Sequence, residues 1–460
     1  MNRRIVLKSS IIVLTICLAV CLSACQEADA HKNSNHTIDR SCCTVDMQIN
    51  IHTLKPDLID FPLIRVKPHD IKPEEGKAFA ELFLGDAKFY ETSFAPEMTK
   101  AALEEKILKL EQLNNDEVII DLYGSSQLQL VKESLQKAVD GYKNAVQFKD
   151  GDNSHAICEW EFHPQSYYAP MGTDAADDDG NNVIMVYAEK GDISHKLWIT
   201  TRNESDFRIQ NIYVYPNSEY ESPLDIETLH MVRTLCGYQK PSDSEVEHVM
   251  EKANNIVKSV GIGEWAITNS KVEEYKYWRN SEKPVYVINI TAVPSFGGIN
   301  ALHVKQLETL KSTNSHAPNY YYSELLLTFS ASGELIEASL TSPVDTVSVV
   351  ESNVKLIELQ QALDILTTNI KQSGSAILRA NGFSSEKGHK IEITIDDANL
   401  GLARISAEEN SGEFYLTPAL QLSGDYTITE NGEPLFSYRN LSGEDYQFSL
   451  INLVDGSIIN

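Results

Sequence analysis

The stretch Ser242-Asp-Ser-Glu-Val-Glu-His-Val-Met-Glu-Lys-Ala-Asn-Asn-Ile-Val-Lys-Ser-Val-Gly261 decides the fold class. Ser242 and Ser244 each stand three residues before a glutamate, which is the capping-box pattern of a helix start. The apolar residues that follow recur at helical spacing, and Gly261 stands just past the end, where a left-handed glycine is common. Segments with the alternation of strands come next, at 265–277, 285–293, 320–330 and 335–341. The stretch therefore predicts a helix followed directly by antiparallel strands.

The same order recurs on both sides of this stretch. Before it, helical patterns begin near Pro73, Thr99 and Ser126 and lead into strand patterns. After it, a helical pattern at 356–371 is again followed by strand patterns. Helices that alternate with groups of strands, and not with single strands, favour an α+β fold over a doubly wound βαβα fold. We therefore predict an α+β fold with two or more lobes, in which helices pack on one face of antiparallel β-sheets. The remaining predicted strands are 47–52, 61–66, 158–162, 183–188, 196–201, 208–215, 390–395, 414–422 and 446–454.

Two breaks in the pattern divide the chain. Segments rich in proline and polar residues lie at 216–223 and 239–242. They separate an N-terminal α+β domain, predicted at 47–222, from a C-terminal α+β region at 223–460. With 460 residues, of which 42% are hydrophobic, the chain is long enough to bury a core in each part.

The beginning of the chain resembles an export signal. A short basic segment precedes an apolar run that ends in Leu22-Ser-Ala-Cys25, and this tetrapeptide resembles a bacterial lipobox. A lipobox cysteine is diacylated, for example with palmitate, and becomes the mature N-terminus. We therefore predict a lipoprotein signal peptide at 1–24, lipid attachment at Cys25 and a flexible tether at 25–46. The alternatives are an ordinary signal peptide that contains a cysteine, and an uncleaved anchor helix.

The net charge limits the partners of the protein. With a formal net charge of −27, the chain repels the phosphate backbone of nucleic acids, so we expect no nucleic-acid binding. The same charge repels an anionic bilayer, so the membrane contact is predicted to run through the lipid on Cys25 alone. The predicted location is the cell membrane, lipid-anchored and facing outside.

The cysteines do not indicate a disulfide framework. Cys42, Cys43, Cys158 and Cys236 would remain once Cys25 carries lipid. They are few and scattered for a chain of this length, and neighbouring cysteines pair with each other only under strain. We expect free or optional thiols.

Several phrases of the sequence resemble those of a known family. They are Phe61-Pro-x-x-x-Val-x-Pro-His-Asp70, Tyr322-Ser-Glu-Leu-x-Leu-x-Phe-x-x-x-Gly333, Phe414-Tyr-Leu-x-Pro418 and Asn452-x-x-Asp455-Gly-Ser-Ile-Ile459. Together they resemble a family of Gram-positive, largely gut-bacterial lipoproteins with a domain of unknown function. More distantly, the C-terminal half is similar to PepSY-type modules and to membrane-tethered Yyc regulators of a cell-wall sensor kinase, which implies two PepSY-like units at about 223–345 and 346–460. Neither resemblance carries a catalytic residue that can be transferred.

His69 and Asp70 are the candidate ligand-binding residues. They stand between a predicted strand and a predicted helix, where a histidine paired with a carboxylate can contact a ligand. The alternative, which we favour, is a rigid Pro-His-Asp turn in which Asp70 satisfies free amides at the helix start.

An acidic loop and three aromatic clusters are further candidates. Asp177 and Asp179 resemble ligands of a calcium loop, but the spacing around Gly180 does not fit an EF-hand, and we favour a solvated loop. The aromatic clusters would form a sugar- or peptide-binding face or, as the alternative, ordinary alternating strand positions. They are Tyr320-Tyr-Tyr322, Tyr275-x-Tyr277-Trp278 and Tyr167-Tyr168.

No nucleophile elbow, zinc-protease motif or glycine-rich phosphate loop is present in the sequence. We therefore expect a non-enzymatic lipoprotein without a cofactor, which binds an envelope protein or a cell-wall ligand or regulates an envelope partner. The alternatives are an envelope hydrolase whose active site is dispersed through the fold, and a substrate-binding lipoprotein of a transporter.

Overall fold

A computed structural model provides the structure of the protein. It describes residues 45–49, 60–85, 87–91, 100–144, 160–164, 182–190, 193–204, 207–216, 225–275, 283–302, 322–383, 387–407, 412–442 and 445–459.

The predicted α+β fold class is confirmed. In the described part of the chain, no helix combines the length and the hydropathy that crossing a bilayer requires. The helices are α1 (Pro73–Leu84), α2 (Lys100–Leu113), α3 (Asp116–Tyr123), α4 (Leu128–Lys143), α5 (Asp225–Cys236), α6 (Asp243–Ser259), α7 (Leu359–Ala380) and α8 (Tyr438–Ser442). The strands are β1 (Val45–Ile49), β2 (Leu63–Pro68), β3 (Lys88–Glu91), β4 (His163–Pro164), β5 (Asn182–Lys190), β6 (Ile193–Glu204), β7 (Phe207–Pro216), β8 (Trp265–Glu274), β9 (Tyr286–Phe296), β10 (Ile299–Asn300), β11 (Glu324–Phe329), β12 (Leu335–Thr341), β13 (Val344–Glu351), β14 (His389–Ser406), β15 (Phe414–Glu430), β16 (Glu433–Ser437), β17 (Tyr446–Asn452) and β18 (Ile458–Ile459).

The chain forms two compact units that are not contiguous in sequence. The first takes its described residues from Met1–Lys67, Phe296–Tyr322 and Asp345–Asn460, and the second from Pro68–Ser295 and Ser323–Val344. The boundary predicted near residue 222 therefore lies inside the second unit. The physical reason is long-range strand pairing. Strand β7, before residue 222, pairs with β12, after it, whereas β1 and β2 pair with β14 and β15 at the other end of the chain.

The first unit is built on the long antiparallel pair β14 and β15. Its sheet runs in the order β1-β14-β15-β17-β18, and β1 joins the edge of β14 in parallel, with Val45 opposite Ile391. Helix α7 covers one face through a buried stripe. The buried residues of this core include Ala362, Leu366, Ile370, Ile391, Ile393, Ile395, Leu420 and Leu422.

The terminal motif of the family resemblance closes a hairpin in the first unit. Asn452 N donates to Ser457 O at 2.8 Å, and Gly456 N donates to Asn452 O at 2.9 Å. The Asn452 side chain accepts from Thr417 Oγ1 at 2.9 Å, and Asp455 Oδ1 accepts from Ser457 N at 2.8 Å. Each polar residue of the motif thus holds the turn between β17 and β18, which is a structural role.

The second unit contains the larger antiparallel sheet. Its strands run in the order β9-β11-β12-β7-β6-β5-β3, with β8 beside β9 and β4 beside β5. Helices α1 and α6 pack on one face, which we call the inner face. Inner-face core residues include Phe79, Phe83, Val249, Val257, Leu197, Ile199, Ile212, Val214, Leu325, Leu327 and Ala338.

Both inner-face helices begin as the sequence predicts. Pro73 opens α1, and Glu75 Oε2 accepts from Lys72 N at 2.8 Å. At α6, Glu245 Oε2 accepts from Ser242 N at 2.7 Å, so the predicted capping box is confirmed. Gly261 follows α6 with a φ of 75°, as expected for the residue past a helix end.

Three helices were not predicted, and the short α8 is one of them. Helix α3 begins where Asn115 Oδ1 accepts from Glu117 N at 2.8 Å, and it ends at Gly124, whose φ is 82°. Helix α5 lies between the two predicted breaks at 216–223 and 239–242, where no helix or strand was predicted. Helices α2 to α5 share a small core of their own, in which α3 and α5 are further joined by the buried pair Asp121 and Arg233, with 3.6 Å between Oδ2 and Nε. Helix α3 has 8 residues and α5 has 12, so each offers only a short apolar stripe in the sequence.

Candidate functional site

His69 and Asp70 lie in the turn between β2 and α1, where the sequence places them. His69 N donates to Pro343 O at 2.8 Å, and His69 Nε2 lies 3.0 Å from Glu75 Oε2. The pKa of Glu75 is lowered: its partial burial opposes the shift, and hydrogen bonds from the Lys72 backbone and from His69 outweigh that burial. His69 therefore supports the carboxylate that caps α1.

Asp70 takes part in a neighbouring network around Gln210. Asp70 Oδ1 accepts from Gln210 Nε2 at 3.2 Å, and Gln210 Oε1 accepts from the backbone N–H of Ile71. Gln210 Nε2 also lies 3.1 Å from Thr201 Oγ1. Gln210 is 2% exposed, so these bonds satisfy a buried amide. The contacts of Asp70 and Ile71 hold the turn against strand β7, and those of His69 hold it to Pro343 and to α1.

The other predicted site residues fall outside the part of the chain that the structure describes. These are Cys25, Asp177 and Asp179. Among the described residues, no group of three or more His, Cys, Asp or Glu side chains is arranged to hold a metal ion.

A groove lies on the face of the second sheet that is opposite to α1 and α6, which we call the outer face. Side chains alternate along strands, so Tyr213 and Tyr215 point away from the inner-face residue Val214. Ser339 is opposite Tyr213 in the strand register. The groove has a volume of about 290 Å³. It is lined by Tyr213, Val214, Tyr215, Leu326, Thr328, Glu337, Ala338 and Ser339.

Glu337 supplies the carboxyl group of the groove. Its Oε1 accepts from the Tyr275 hydroxyl at 2.7 Å. Burial raises the pKa of Glu337, and the hydrogen bond from Tyr275 works in the opposite direction. Across the strand pair, Thr328 Oγ1 lies 2.9 Å from Asn289 Oδ1. The groove thus has acceptors and hydroxyl groups at one end and two tyrosine rings at the other.

An aromatic surface continues from the groove across β6 and β5. We call it the aromatic face, and it consists of Tyr187, Trp198, Tyr213 and Tyr215. Trp198 is opposite Tyr213, and Lys196 is opposite both Tyr215 and Tyr187. Lys196 Nζ lies 5.3 Å from the ring centroid of Trp198 and 5.9 Å from that of Tyr187, within the range of a cation–π contact.

The indole of Trp198 has an unsatisfied donor. Its Nε1 is buried and has no hydrogen-bond partner among the described residues. Buried donors of this kind are rare, because leaving one unpaired costs free energy. Aromatic rings, a cation and a carboxyl group are therefore placed on one surface. Such a set can stack on a ring and form hydrogen bonds with polar groups around its edge.

Of the aromatic residues singled out in the sequence, the structure describes Tyr275 and Tyr322, and neither belongs to the aromatic face. Tyr275 donates to Glu337, and Tyr322 lies near Arg404 in the first unit, 5.9 Å from ring centroid to guanidinium carbon. The aromatic face was missed because its residues are spread over three strands. The sequence feature that could have indicated it is the alternation Tyr213-Val-Tyr215 together with Trp198. These rings form one surface only because the strand register places Trp198 opposite Tyr213.

No protein-family model and no curated protein matches the chain. Among solved structures, the chain is similar to the crystal structure of an uncharacterized protein from Eubacterium rectale ATCC 33656. The two chains are 9% identical, the match covers 90% of each, and the TM-score is 0.40. The description of that protein names no activity or ligand.

Proposed function

We propose that the protein is a membrane-anchored extracytoplasmic lipoprotein that binds a ligand without converting it. The lipobox-like segment at Leu22–Cys25 supports the anchor. The binding surface would be the groove together with the aromatic face.

The observation that carries this proposal is the combination of Tyr213 and Tyr215 with Glu337 in one groove of about 290 Å³. Ligand pockets typically combine apolar and aromatic walls with a few polar groups that set the orientation. A carbohydrate ring offers an apolar face for stacking and hydroxyl groups at its edge. The ligand class we propose is therefore a cell-wall glycan fragment.

The direct test is a titration of the purified full-length protein, in detergent micelles, with soluble peptidoglycan fragments. Tyr213→Ala should weaken binding by about tenfold or more, as expected for a central aromatic contact. Tyr142→Ala removes a tyrosine from the helical core around α4 and serves as the matched control. Equal affinity of both variants and the wild type would contradict the proposed surface. Formation of new products in the same mixtures would instead support the alternative of an envelope hydrolase.

The proposed anchor has a separate test. Cys25→Ser should move the protein from the membrane fraction to the soluble fraction. Retention of the variant in membranes would contradict lipid attachment at Cys25.

A further inference from the structure

Strand β13, all but the first residue of which belongs to the first unit, lies at an edge of that unit's sheet. Among the described strands it pairs with β2, which in turn pairs with β15. Two backbone hydrogen bonds of 2.8 Å bracket the β2–β13 pair, from His69 N to Pro343 O and from Val354 N to Phe61 O. The two strands therefore run antiparallel, and β13 is the outer one.

The side chains of β13 are open on both faces of the strand. Residues 346–351 are exposed without interruption. Val347, Val349 and Val350 are 44%, 56% and 52% exposed. In a strand that is packed on one face, buried and exposed residues alternate. Six consecutive exposed residues therefore indicate that nothing packs on either face of this part of β13.

The middle of β13 lacks the charges that discourage strand pairing. Thr346-Val-Ser-Val-Val350 contains no charged residue, and valine and threonine favour extended backbone. Strand β8, which among the described strands pairs with β9, offers a contrast, because it carries Lys271, Glu273 and Glu274. Charged side chains on an edge strand oppose the addition of another strand. The edge of β13 is therefore suited to accept one.

The charge of the chain indicates which kind of strand can be added. Two copies of a chain with a net charge of −27 repel each other, which disfavours pairing of β13 with a second copy. By alternation, the exposed Glu351 lies on the same face of β13 as Val347 and Val349. Apolar side chains opposite the two valines and a basic side chain beside Glu351 would complement this face.

We infer that β13 is a strand-addition site for an extended, basic segment of another protein. The segment continues the sheet through its backbone hydrogen bonds. It places β-branched side chains against Val347 and Val349 and a lysine or arginine beside Glu351. The groove lies in the second unit, so glycan binding and strand addition can each fail without the other.

The probe is a fluorescently labelled peptide, Lys-Thr-Val-Thr-Val-Thr-Lys, in which both lysines and both valines lie on one face. It is titrated into the purified full-length protein in detergent micelles. A control peptide has two consecutive prolines in its centre. Because alternate N–H groups face the neighbouring strand, one of these prolines removes a donor in either register. The control should bind at least about tenfold more weakly.

Hydrogen exchange identifies the strand that the peptide contacts. Binding of the lysine peptide should slow amide exchange within residues 346–350, because backbone groups at the free edge of β13 become hydrogen-bonded. Equal affinity of the two peptides, or unchanged exchange in this segment, would overturn the inference.

A change of charge tests the predicted orientation of the peptide. Glu351→Lys should weaken the lysine peptide about tenfold and favour a peptide with glutamates in place of the lysines. Glu251→Lys makes the same change in net charge at an exposed position of α6 and should leave the preference for lysine intact. A loss of the same size in both variants would mean that the peptide follows net charge alone, and the site would be refuted.

A substitution in the middle of the strand separates the partner from a second copy. Val349→Lys places a charge on the open edge and should weaken the lysine peptide by at least about tenfold. Thermal unfolding shows whether each variant is folded. Light scattering of the peptide-free protein should give the same oligomeric state for the wild type and Val349→Lys. A wild-type dimer that Val349→Lys dissociates would identify a second copy as the occupant and overturn the inference.

Discussion

The Tyr275 hydroxyl donates a hydrogen bond of 2.7 Å to Glu337 Oε1 on the outer face of the second sheet. The bond joins the residue that follows β8 to the middle of β12, two strands that are not neighbours in the sheet. It also opposes the rise that burial causes in the pKa of Glu337.

Because burial raises the pKa of Glu337, the folded state holds this proton more tightly than the unfolded state. The stability from protonated Glu337 is fully present below its ordinary pKa of 4.5 and is lost as the pH rises through the folded-state pKa. Tyr275→Phe should lower the free energy of unfolding at pH 7 by about 1–2 kcal/mol, because the buried carboxyl group loses its donor. Glu337→Gln should make stability less dependent on pH. Urea unfolding at pH 4 and pH 7 measures both effects, and identical pH profiles for wild type and Glu337→Gln would contradict them.

Substitutions in the network at the start of α1 test whether His69 has a structural role or binds a ligand. Gln210→Leu leaves the buried N–H of Ile71 without an acceptor and should destabilise the protein by about 2–3 kcal/mol. His69→Ala removes one partly exposed hydrogen bond and should cost about 1 kcal/mol. Neither substitution should weaken binding of glycan fragments by folded protein. Loss of binding in a folded His69→Ala protein would restore His69 as a ligand residue.

A glycine in α1 permits close packing on the sheet. A Cβ added at Gly76 would collide with Ile199 Cδ1, whereas a Cβ at Gly141 in α4 meets nothing within 4 Å. Gly76→Ala should therefore cost about 1–3 kcal/mol, and Gly141→Ala should stabilise by about 0.5–1 kcal/mol through helix propensity.

The same contact can be tested by a double substitution. Ile199→Val removes the colliding methyl group, so Gly76→Ala should be less costly in the Ile199→Val background. Chemical unfolding of the four proteins gives the coupling free energy. Strict additivity would show that Gly76 and Ile199 do not interact in this way.

Cys236 should be unreactive in the folded protein. It is a free, buried thiol, and burial raises its pKa to about 12 from an ordinary value of 9.0, with the nearby Glu337 charge adding to the shift. Alkylation by iodoacetamide at pH 8 should be slow in native buffer and fast in urea, measured in a variant in which Cys42, Cys43 and Cys158 are serine. Comparable rates in the two solvents would contradict the burial of this thiol.

The raised pKa of Cys236 also predicts a loss of stability in alkali. Between pH 9 and 12 the unfolded thiol releases its proton and the folded thiol retains it, so stability falls as the pH rises. Cys236→Ala should reduce this slope, as measured by unfolding at pH 8 and pH 10.

The elements with strong local signals could be predicted from the sequence. Leu335–Thr341 is a strand with the predicted bounds, because its alternation is regular and the turn at Ser332-Gly333 precedes it. Helix α7 extends to Ala380, nine residues beyond its predicted end at Lys371. Its C-terminal half contains Gly374 and two serines, which weaken the local helical signal, and it is held by packing of Ile377 and Leu378 in the core.

The unit boundaries and the candidate site depend on contacts that local patterns do not contain. Nothing around Val45–Ile49 indicates that its partner is Ile391–Ile395. Likewise, Trp198 and Tyr213 are fifteen residues apart in sequence and become neighbours through the register of β6 and β7. His69 and Asp70 were conspicuous for their local setting, and their hydrogen bonds to Pro343, Glu75 and Gln210 hold the turn in place.

The parallel pairing of β1 with β14 bears on the order in which the units form during synthesis. The described residues of the second unit lie between Pro68 and Val344, so its strands emerge while the partners of β1 are still missing. The first unit contains the strands nearest in sequence to Cys25, and it is therefore the last to complete its fold. Removal of the chain through Ile49 would leave the edge of β14 open for pairing with another molecule, and an N-terminally shortened protein should therefore tend to aggregate.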